Sequence, residues 1–269
     1  SNQANTLLSN DVTTNKDSQL VQTNKEKYCL DLAEKDMLGH YGQEVATAHE
    51  NGAIYIHDLG DRKFNTINSC LFDLYSVLKQ GFMLENIQFG EPISFEEALE
   101  FSSRILISAS SQQYGAISVP EIDTVFKEFA KKSFEILKKK SKDQSDVKST
   151  LFHQMVEAWQ KFEIDANTKN NQNAQLPFLS MTFGMETDKF GQMVAMSLLE
   201  SRIKGIGKNH STPLFPKLIF LCRAEINGEK GLNYQIFQKA IDCTSKRIYP
   251  DYLSLDKGFQ SEMYEKYRQ

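Results

Sequence analysis

Three adjacent side chains, an amide, a hydroxyl and a thiol, stand inside an apolar stretch of the sequence. They belong to Asn68, Ser69 and Cys70, and the surrounding residues 67–73 are rich in Ile, Leu and Phe. A short and nearly continuous apolar run predicts a strand in a largely buried sheet. Buried amide and hydroxyl groups need hydrogen-bond partners, so their presence in such a strand needs a reason. We therefore take these three residues as candidate catalytic groups.

Cys70 has two interpretations that the sequence leaves open. Free cysteine is among the most buried residue types and packs as a small hydrophobic group. The alternative is a thiol that takes part in redox or radical chemistry.

A polar pair follows a second apolar run. Residues 54–56 place two isoleucines on one side of an extended segment, which predicts another strand, and His57 and Asp58 come directly after it. Ligands of barrels and open sheets bind where polar groups follow strands. His57 and Asp58 are therefore candidate substrate-binding residues.

Composition excludes several classes of protein. The 269 residues are 40% hydrophobic and 25% charged, which is enough for one large domain or two modest ones. A net charge of −4 argues against nucleic acid as the main partner. The four cysteines are widely spaced without a C-x-x-C motif, which favours a reducing compartment. No apolar run reaches membrane-spanning length and no signal pattern opens the chain, so we expect a cytoplasmic protein without a membrane partner.

The periodicity of apolar residues predicts alternating strands and helices. Strands are expected at 54–56, 67–73, 177–183 and 214–221, and helices at 25–50 (two, broken near Gly39–Gly42), 75–81, 120–140, 150–162, 190–204 and 232–247. This order predicts an α/β fold with parallel-type connections.

Three further segments carry specific expectations. Ser94 and Glu97 form a capping box, and the helix that they start carries serines on one face, as in a helix that packs close to another backbone or a ligand. Residues 1–23 are rich in Asn, Thr, Ser and Gln, which predicts an N-terminal arm. Residues 165–175 are polar and have no helix or strand period, which predicts a loop.

Several blocks, in order, resemble the catalytic domain of anaerobic (class III, glycyl-radical) ribonucleoside-triphosphate reductases. They read G-A-I-Y-I-H-D-L (52–59), N-S-C-L-F-D-L (68–74), S-S-Q-Q-Y-G-A-I-S-V-P-E-I-D (110–123), R-I-K-G-I-G (202–207), F-P-K-L-I-F (215–220) and C-T-S-K-R-I-Y-P-D-Y-L (243–253). The resemblance implies the first half of a ten-stranded α/β barrel, with flanking helices, over residues 24–269. It also implies that an ATP-cone and a C-terminal glycyl-radical domain are absent from this chain.

The family resemblance further implies chemistry and partners. The expected reaction converts NTPs to dNTPs by thiyl-radical abstraction of the 3′-hydrogen. It needs a glycyl radical installed by an iron-sulfur/SAM activase, formate or a thiol reductant, and a C-terminal zinc, all expected outside this segment. Nucleoside triphosphates, dNTP effectors, a second copy of the chain, the activase and a missing C-terminal half are the implied partners. No cofactor or metal is expected on this chain itself.

The sequence departs from the family pattern at the site. Ser69 stands where the family has its functional cysteine, and Cys70 comes one place later, which in a strand turns a side chain to the opposite face. Gln175 ends the polar segment that replaces the family's loop before P-F, and it is a third candidate substrate-binding residue. Two hypotheses follow: a part of the reductase that is incomplete or inactive alone, or a non-catalytic nucleotide-binding or dimerisation module derived from it.

Overall fold

The computed structural model describes residues 21–140, 144–172 and 175–268. Its centre is a sheet of five parallel strands in the order β1-β4-β5-β6-β7. A two-stranded antiparallel hairpin, β2-β3, lies apart from it. The strands are β1 Cys70–Leu71, β2 Phe82–Leu84, β3 Ile87–Phe89, β4 Ile117–Val119, β5 Leu179–Phe183, β6 Lys217–Cys222 and β7 Asp251–Ser254.

Helices connect the strands and pack on the sheet. They are α1 Val21–Leu38, α2 Gln43–Glu50, α3 Leu59–Lys63, α4 Leu74–Gln80, α5 Phe95–Ala109, α6 Ile122–Lys140, α7 Gln144–Thr168, α8 Lys189–Lys204, α9 Ala224–Asn227, α10 Tyr234–Arg247 and α11 Phe259–Arg268. None of the helices in the described ranges is long and apolar enough to cross a membrane.

The two faces of the sheet differ in polarity. Side chains alternate along each strand, and cross-strand partners share a face. One face carries Ile117, Met181 and Phe220, all buried in the main core beside the α5–α8 and α10 side chains. The opposite face carries Ser118 and Ser180, which are in register and whose hydroxyls are hydrogen-bonded. The sheet is therefore covered by helices on one face and polar on the other.

The helix termini follow from local hydrogen bonds. At the start of α5 the Ser94 hydroxyl accepts a bond from the Glu97 backbone N–H at 3.1 Å, while the Glu97 carboxylate accepts from the Ile93 N–H at 2.7 Å. The Ser94 cap of the predicted capping box is confirmed, whereas Glu97 reaches back to the N–H of Ile93 and not to that of the N-cap residue Ser94. Asp73 and Asp188 cap α4 and α8 in the same manner.

A buried ion pair joins α7 to α8 beneath the start of β6. The Arg202 guanidinium donates to Glu163 at 2.6 Å, and both side chains are fully buried. Ser201 donates to the other Glu163 oxygen, and Arg202 also donates to the backbone oxygens of Pro213 and Pro216. The arginine of the R-I-K-G-I-G block thus fixes the chain that enters β6.

The prediction of an α/β fold built on one five-stranded parallel half is confirmed. The strands expected at 177–183 and 214–221 are β5 and β6, and each long predicted helix is present. The helix expected at 150–162 extends over Gln144–Thr168, so part of the supposed 165–175 loop is helical. Of the expected arm, residues 1–20 lie outside the described residues and Val21 already belongs to α1.

The strand expected at 54–56 is wrong. These residues form turns and coil between α2 and α3, and Ile54 and Tyr55 are 44% and 77% exposed. The Ile54 N–H donates to Ala48 at the end of α2, and the Ile56 N–H donates to the His49 ring, so no neighbouring strand satisfies them. Apolar alternation arises here without a sheet partner.

The strand expected at 67–73 is much shorter than predicted. Only Cys70–Leu71 pairs as a strand, preceded by an isolated parallel bridge between Ile67 and Gln113. Periodicity also missed four strands: the β2-β3 hairpin, β4 and β7. Each of these has four residues or fewer, which is too short to show a period.

Candidate functional site

A cleft of about 570 Å³ lies beside the amino ends of β1, β4 and β5. One wall comes from α1 and a second from α3 and the residues after it. The segments that lead into β4 and β5 complete it. Its lining residues are Lys25, Glu26, Cys29, Leu30, Asp58, Asp61, Phe64, Thr66, Ser111, Gln113, Tyr114 and Gln175.

Asn68 and Ser69 lie at the amino end of β1 and are exposed. The Ser69 hydroxyl donates to the Asn68 side-chain oxygen at 3.1 Å and accepts from the Ala116 N–H at 3.3 Å. Gly115 permits this approach. A Cβ on Gly115 would stand 2.2 Å from the Asn68 backbone oxygen and 2.6 Å from the Ser69 hydroxyl. The glycine is therefore required by the close packing of two chain segments.

Cys70 faces the other side of the sheet from Ser69. It is in register with buried Ile117 and packs, half-buried, against the main core. Its sulfur accepts a hydrogen bond from the Gln113 side-chain amide at 2.9 Å. Cys70 thus contacts the cleft through Gln113, a lining residue, rather than lining it.

Gln113 is a site residue that sequence reasoning missed. Its side chain is buried, with 8% of the residue exposed, and its Oε1 accepts no hydrogen bond from the described residues. The Q-Q-Y-G block was the available signal, but nothing in it distinguished Gln113 from its neighbour Gln112. The isolated bridge to Ile67 is what draws Gln113 inward.

Carboxylates dominate the charge of the cleft. Burial, assisted by the negative charge of Asp61, raises the pKa of Glu26, and the Oε2 of Glu26 has no hydrogen-bond partner among the described residues. Burial and nearby Asp58 raise the pKa of Asp61. Lys25 is the one cation among the described side chains that line the cleft. An acidic cleft of this kind disfavours an anionic ligand group.

The three candidate substrate-binding residues are distributed unevenly. Asp58 lines the cleft from a left-handed backbone conformation (φ 52°) at the start of α3. Gln175 also lines it, held by a 3.1 Å bond from its N–H to the Asn171 side chain. His57 pairs with the Asp58 carboxylate, but its side chain is 76% exposed and it is not a lining residue. The structure therefore brings two of the three together.

Within the described ranges no three His, Cys, Asp or Glu side chains converge as ligands of a metal. The four cysteines are free thiols. Burial raises the pKa of the Cys243 thiol to about 12, so this cysteine is an inert core group.

A parallel five-stranded sheet with helices on one face is the architecture of half an α/β barrel. Because polar side chains converge on a cleft at one edge of this sheet, barrel enzymes are the class of protein with which the chain is to be compared. The sequence profile described as anaerobic ribonucleoside-triphosphate reductase matches residues 13–269. The chain therefore belongs to the anaerobic ribonucleoside-triphosphate reductase family.

Curated relatives agree with this assignment. The chain is 33% identical to the anaerobic ribonucleoside-triphosphate reductase of Haemophilus influenzae and 34% identical to that of Escherichia coli, in each case over 95% of this chain and 37% of the relative. It is 31% identical to that of Enterobacteria phage T4 over 89% of this chain and 41% of the relative. The chain thus spans well under half the length of these relatives.

Solved structures agree on the fold. The anaerobic ribonucleotide reductase of Thermotoga maritima with citrate in the active site superposes with a TM-score of 0.63 at 16% identity, over 91% of this chain and 48% of that chain. The same enzyme in complex with dATP and CTP gives a TM-score of 0.58 at 15% identity, over 88% and 42%. At this identity the likeness concerns the fold alone.

Proposed function

We propose that this chain forms one wall of the substrate site of an anaerobic ribonucleoside-triphosphate reductase, which converts NTPs to dNTPs. The observation that carries the proposal is the convergence of polar side chains on one cleft at the amino ends of β1, β4 and β5, in a member of this family. Family membership alone would not show where on this chain the substrate binds.

In this proposal Asn68 and Ser69 face the substrate at the amino end of β1, where their side chains are exposed and hydrogen-bonded to each other. Asp58 and Gln175 bind the substrate from the cleft, and His57 reaches it from the rim. Cys70 serves the site from the covered face of the sheet, through its bond with Gln113.

The radical chemistry would be supplied from outside this segment. A glycyl radical, installed by an iron-sulfur/SAM activase, leads to removal of the substrate 3′-hydrogen when it is present. The reductant, formate or a thiol, and the family's zinc likewise belong to other segments or proteins, and we propose no cofactor on this chain. Its own residues bind and orient the ribonucleotide.

Effector binding and dimerisation are assigned in this proposal to α5 and α7. Ser102 and Ser103 are buried on α5, and Ser103 donates to Asp165 on α7 at 2.9 Å. A second cleft, of about 270 Å³, lies beside this bond. We infer that dNTP effectors and a second copy of the chain bind here, and that the protein, with its four free thiols, is cytoplasmic.

A specific observation supports the alternative function, a non-catalytic nucleotide-binding or dimerisation module. Ser69 faces away from Cys70, so the half-buried thiol does not occupy the position in which the family has its functional cysteine. A hydroxyl cannot form the disulfide that a thiol reductant would need.

An anaerobic reconstitution tests the two functions. The chain is combined with a second polypeptide that carries the radical glycine and the thiol that forms the thiyl radical, and with the activase, and dNTP formation is measured. We expect dNTP only with both polypeptides, a large loss with Asn68→Ala, and no loss with Asn209→Ala, another exposed asparagine. Absence of dNTP, with calorimetry still showing NTP binding, would favour the module. Absence of both would reject the reductase function and the nucleotide-binding form of the module.

A further inference from the structure

Gln113 combines two features that ordinary packing does not explain. It lines the large cleft while more than nine-tenths buried, and its buried side-chain carbonyl accepts no hydrogen bond from any described residue. Leaving such an acceptor unpaired costs about 1–3 kcal/mol, so most buried polar groups are paired. An aliphatic side chain in this place would avoid that cost.

We propose that the Gln113 carbonyl recognises a hydrogen-bond donor on the nucleoside part of the ligand, and that Cys70 positions the amide for this contact. The proposal rests on the proposed function and identifies which part of the nucleotide enters this cleft.

The charge of the cleft selects the nucleoside rather than the phosphates. Among the described side chains, Glu26, Asp58 and Asp61 line it together with a single cation, Lys25. A triphosphate would meet net repulsion there, whereas the hydroxyl and amino groups of a nucleoside are donors that suit both the carboxylates and the Gln113 carbonyl.

Cys70 decides which end of the amide faces the ligand. The two ends of a glutamine amide have nearly the same shape but opposite hydrogen-bonding character. The Cys70 sulfur accepts from Nε2 at 2.9 Å, which directs the amino group away from the ligand and leaves Oε1 for it. The sulfur itself is fixed because Cys70 packs on the core beside Ile117.

Calorimetry and thermal unfolding of the 269-residue chain test this assignment, with cytidine and CTP as probes. Gln113→Leu should weaken cytidine binding by about tenfold, the loss of one hydrogen bond from a buried group. Because the variant removes an unpaired acceptor, its melting temperature should be unchanged or higher. Gln112→Leu, at the exposed neighbouring glutamine, is the matched control and should change neither quantity.

Substitutions of Cys70 test whether this residue positions the Gln113 amide. Cys70→Ala removes the acceptor for Nε2 and should weaken cytidine binding nearly as much as Gln113→Leu. Cys70→Ser keeps an acceptor and should restore most of the affinity. If Cys70→Ser is as weak as Cys70→Ala while both melt alike, the sulfur does not orient the amide and that part of the proposal is overturned.

Analogues identify the donor. If the effect of Gln113→Leu vanishes with uridine, the donor is the amino group of the base, and if it vanishes with 2′-deoxycytidine, the donor is the 2′-hydroxyl. Persistence with both analogues assigns the remaining sugar hydroxyls. Equal cytidine affinity of Gln113→Leu and wild type overturns the inference but leaves the proposed function standing. A wild-type chain that binds neither cytidine nor CTP overturns both.

Discussion

The two ends of the parallel sheet treat their polar groups in opposite ways. At the carboxyl end of β5, buried Asp123 accepts from the N–H groups of Gly184 and Glu186 at 2.8 and 3.2 Å. Fully buried Asn233 donates to the carbonyls of the same two residues, each at 2.9 Å. The loop after β5 therefore has its hydrogen bonds satisfied from within the fold.

The polar groups at the amino ends of β1 and β4 show the opposite arrangement. Asn68 and Ser69 are exposed, and Gln113 and Glu26 each keep a buried oxygen without a partner among the described residues. Parallel sheets usually bind ligands at the carboxyl ends of their strands. Here the carboxyl end of β5 is closed by its own hydrogen bonds, and capacity for a ligand remains at the amino end. Unused hydrogen-bonding groups, rather than strand polarity, therefore indicate the candidate site.

The largest expected effect is at the closed end. Asn233→Ala would remove its hydrogen bonds to the Gly184 and Glu186 carbonyls and the bond that it accepts from the Gln192 amide at 2.8 Å, and it would leave a cavity in place of a fully buried side chain. We expect the free energy of unfolding in urea to fall by about 4 kcal/mol. Asn209→Ala should be neutral, and nucleotide binding by any folded Asn233→Ala should be unchanged. A loss of binding without a loss of stability would contradict the division between the two ends.

Asp123 should make the closed end sensitive to pH. Burial raises its pKa from 3.8 to about 6. Between these values the unfolded chain loses the proton while the folded chain keeps it, so this group's contribution to stability is full below pH 3.8 and is lost as pH rises to 6. The loss is about 3 kcal/mol.

Urea unfolding of wild type and Asp123→Asn at pH 4 and pH 7 measures this contribution. The stability of wild type relative to Asp123→Asn should fall by about 2 kcal/mol between the two pH values, because at pH 4 part of the contribution is already lost. A constant difference would show that the carboxyl group has the same pKa in both states.

Gly115→Ala should damage the open end. The added Cβ would overlap the Asn68 backbone oxygen, which is 2.2 Å away. The residues at the amino end of β1 must therefore shift. We expect a loss of about 2 kcal/mol in unfolding free energy together with a loss of nucleotide binding, measured by urea titration and calorimetry. Gly90→Ala, where a Cβ meets nothing within 4 Å, is the control and should affect neither. Retained binding by Gly115→Ala would place the ligand elsewhere.

The smallest effect on stability, and the most informative for function, is expected from Ser69→Cys. The side chain is exposed, so the unfolding free energy should change by less than about 0.5 kcal/mol. If position 69 corresponds to the family's functional cysteine, as the proposed function has it, dNTP formation by the variant in the reconstituted system should increase with a thiol reductant. Ser111→Cys, at a half-buried cleft residue outside β1, controls for a thiol in general. An equal gain from both variants would refute a specific role for position 69.

Much of the fold could be read from residue patterns because long helices and buried strands repeat over many residues. The apolar period of α6 and the continuous apolar runs of β5 and β6 predicted those elements. Short strands could not be predicted in this way. β1 has two residues, and it exists because Ala116 and Ser118 supply its hydrogen bonds from a segment distant in sequence.

The same distinction between local pattern and distant contacts applies to the candidate site. The sequence by itself determined the family blocks, the unusual Asn68-Ser69-Cys70 run and the inversion of faces between Ser69 and Cys70, since alternation along a strand is local geometry. Only the tertiary structure decided that residues 54–56 are not a strand, that His57 stays outside the cleft, and that Gln113 lies against Cys70 with no partner for its carbonyl in the described part of the chain. These outcomes depend on hydrogen-bond partners and burial supplied by distant segments, and no local pattern of residue types contains them.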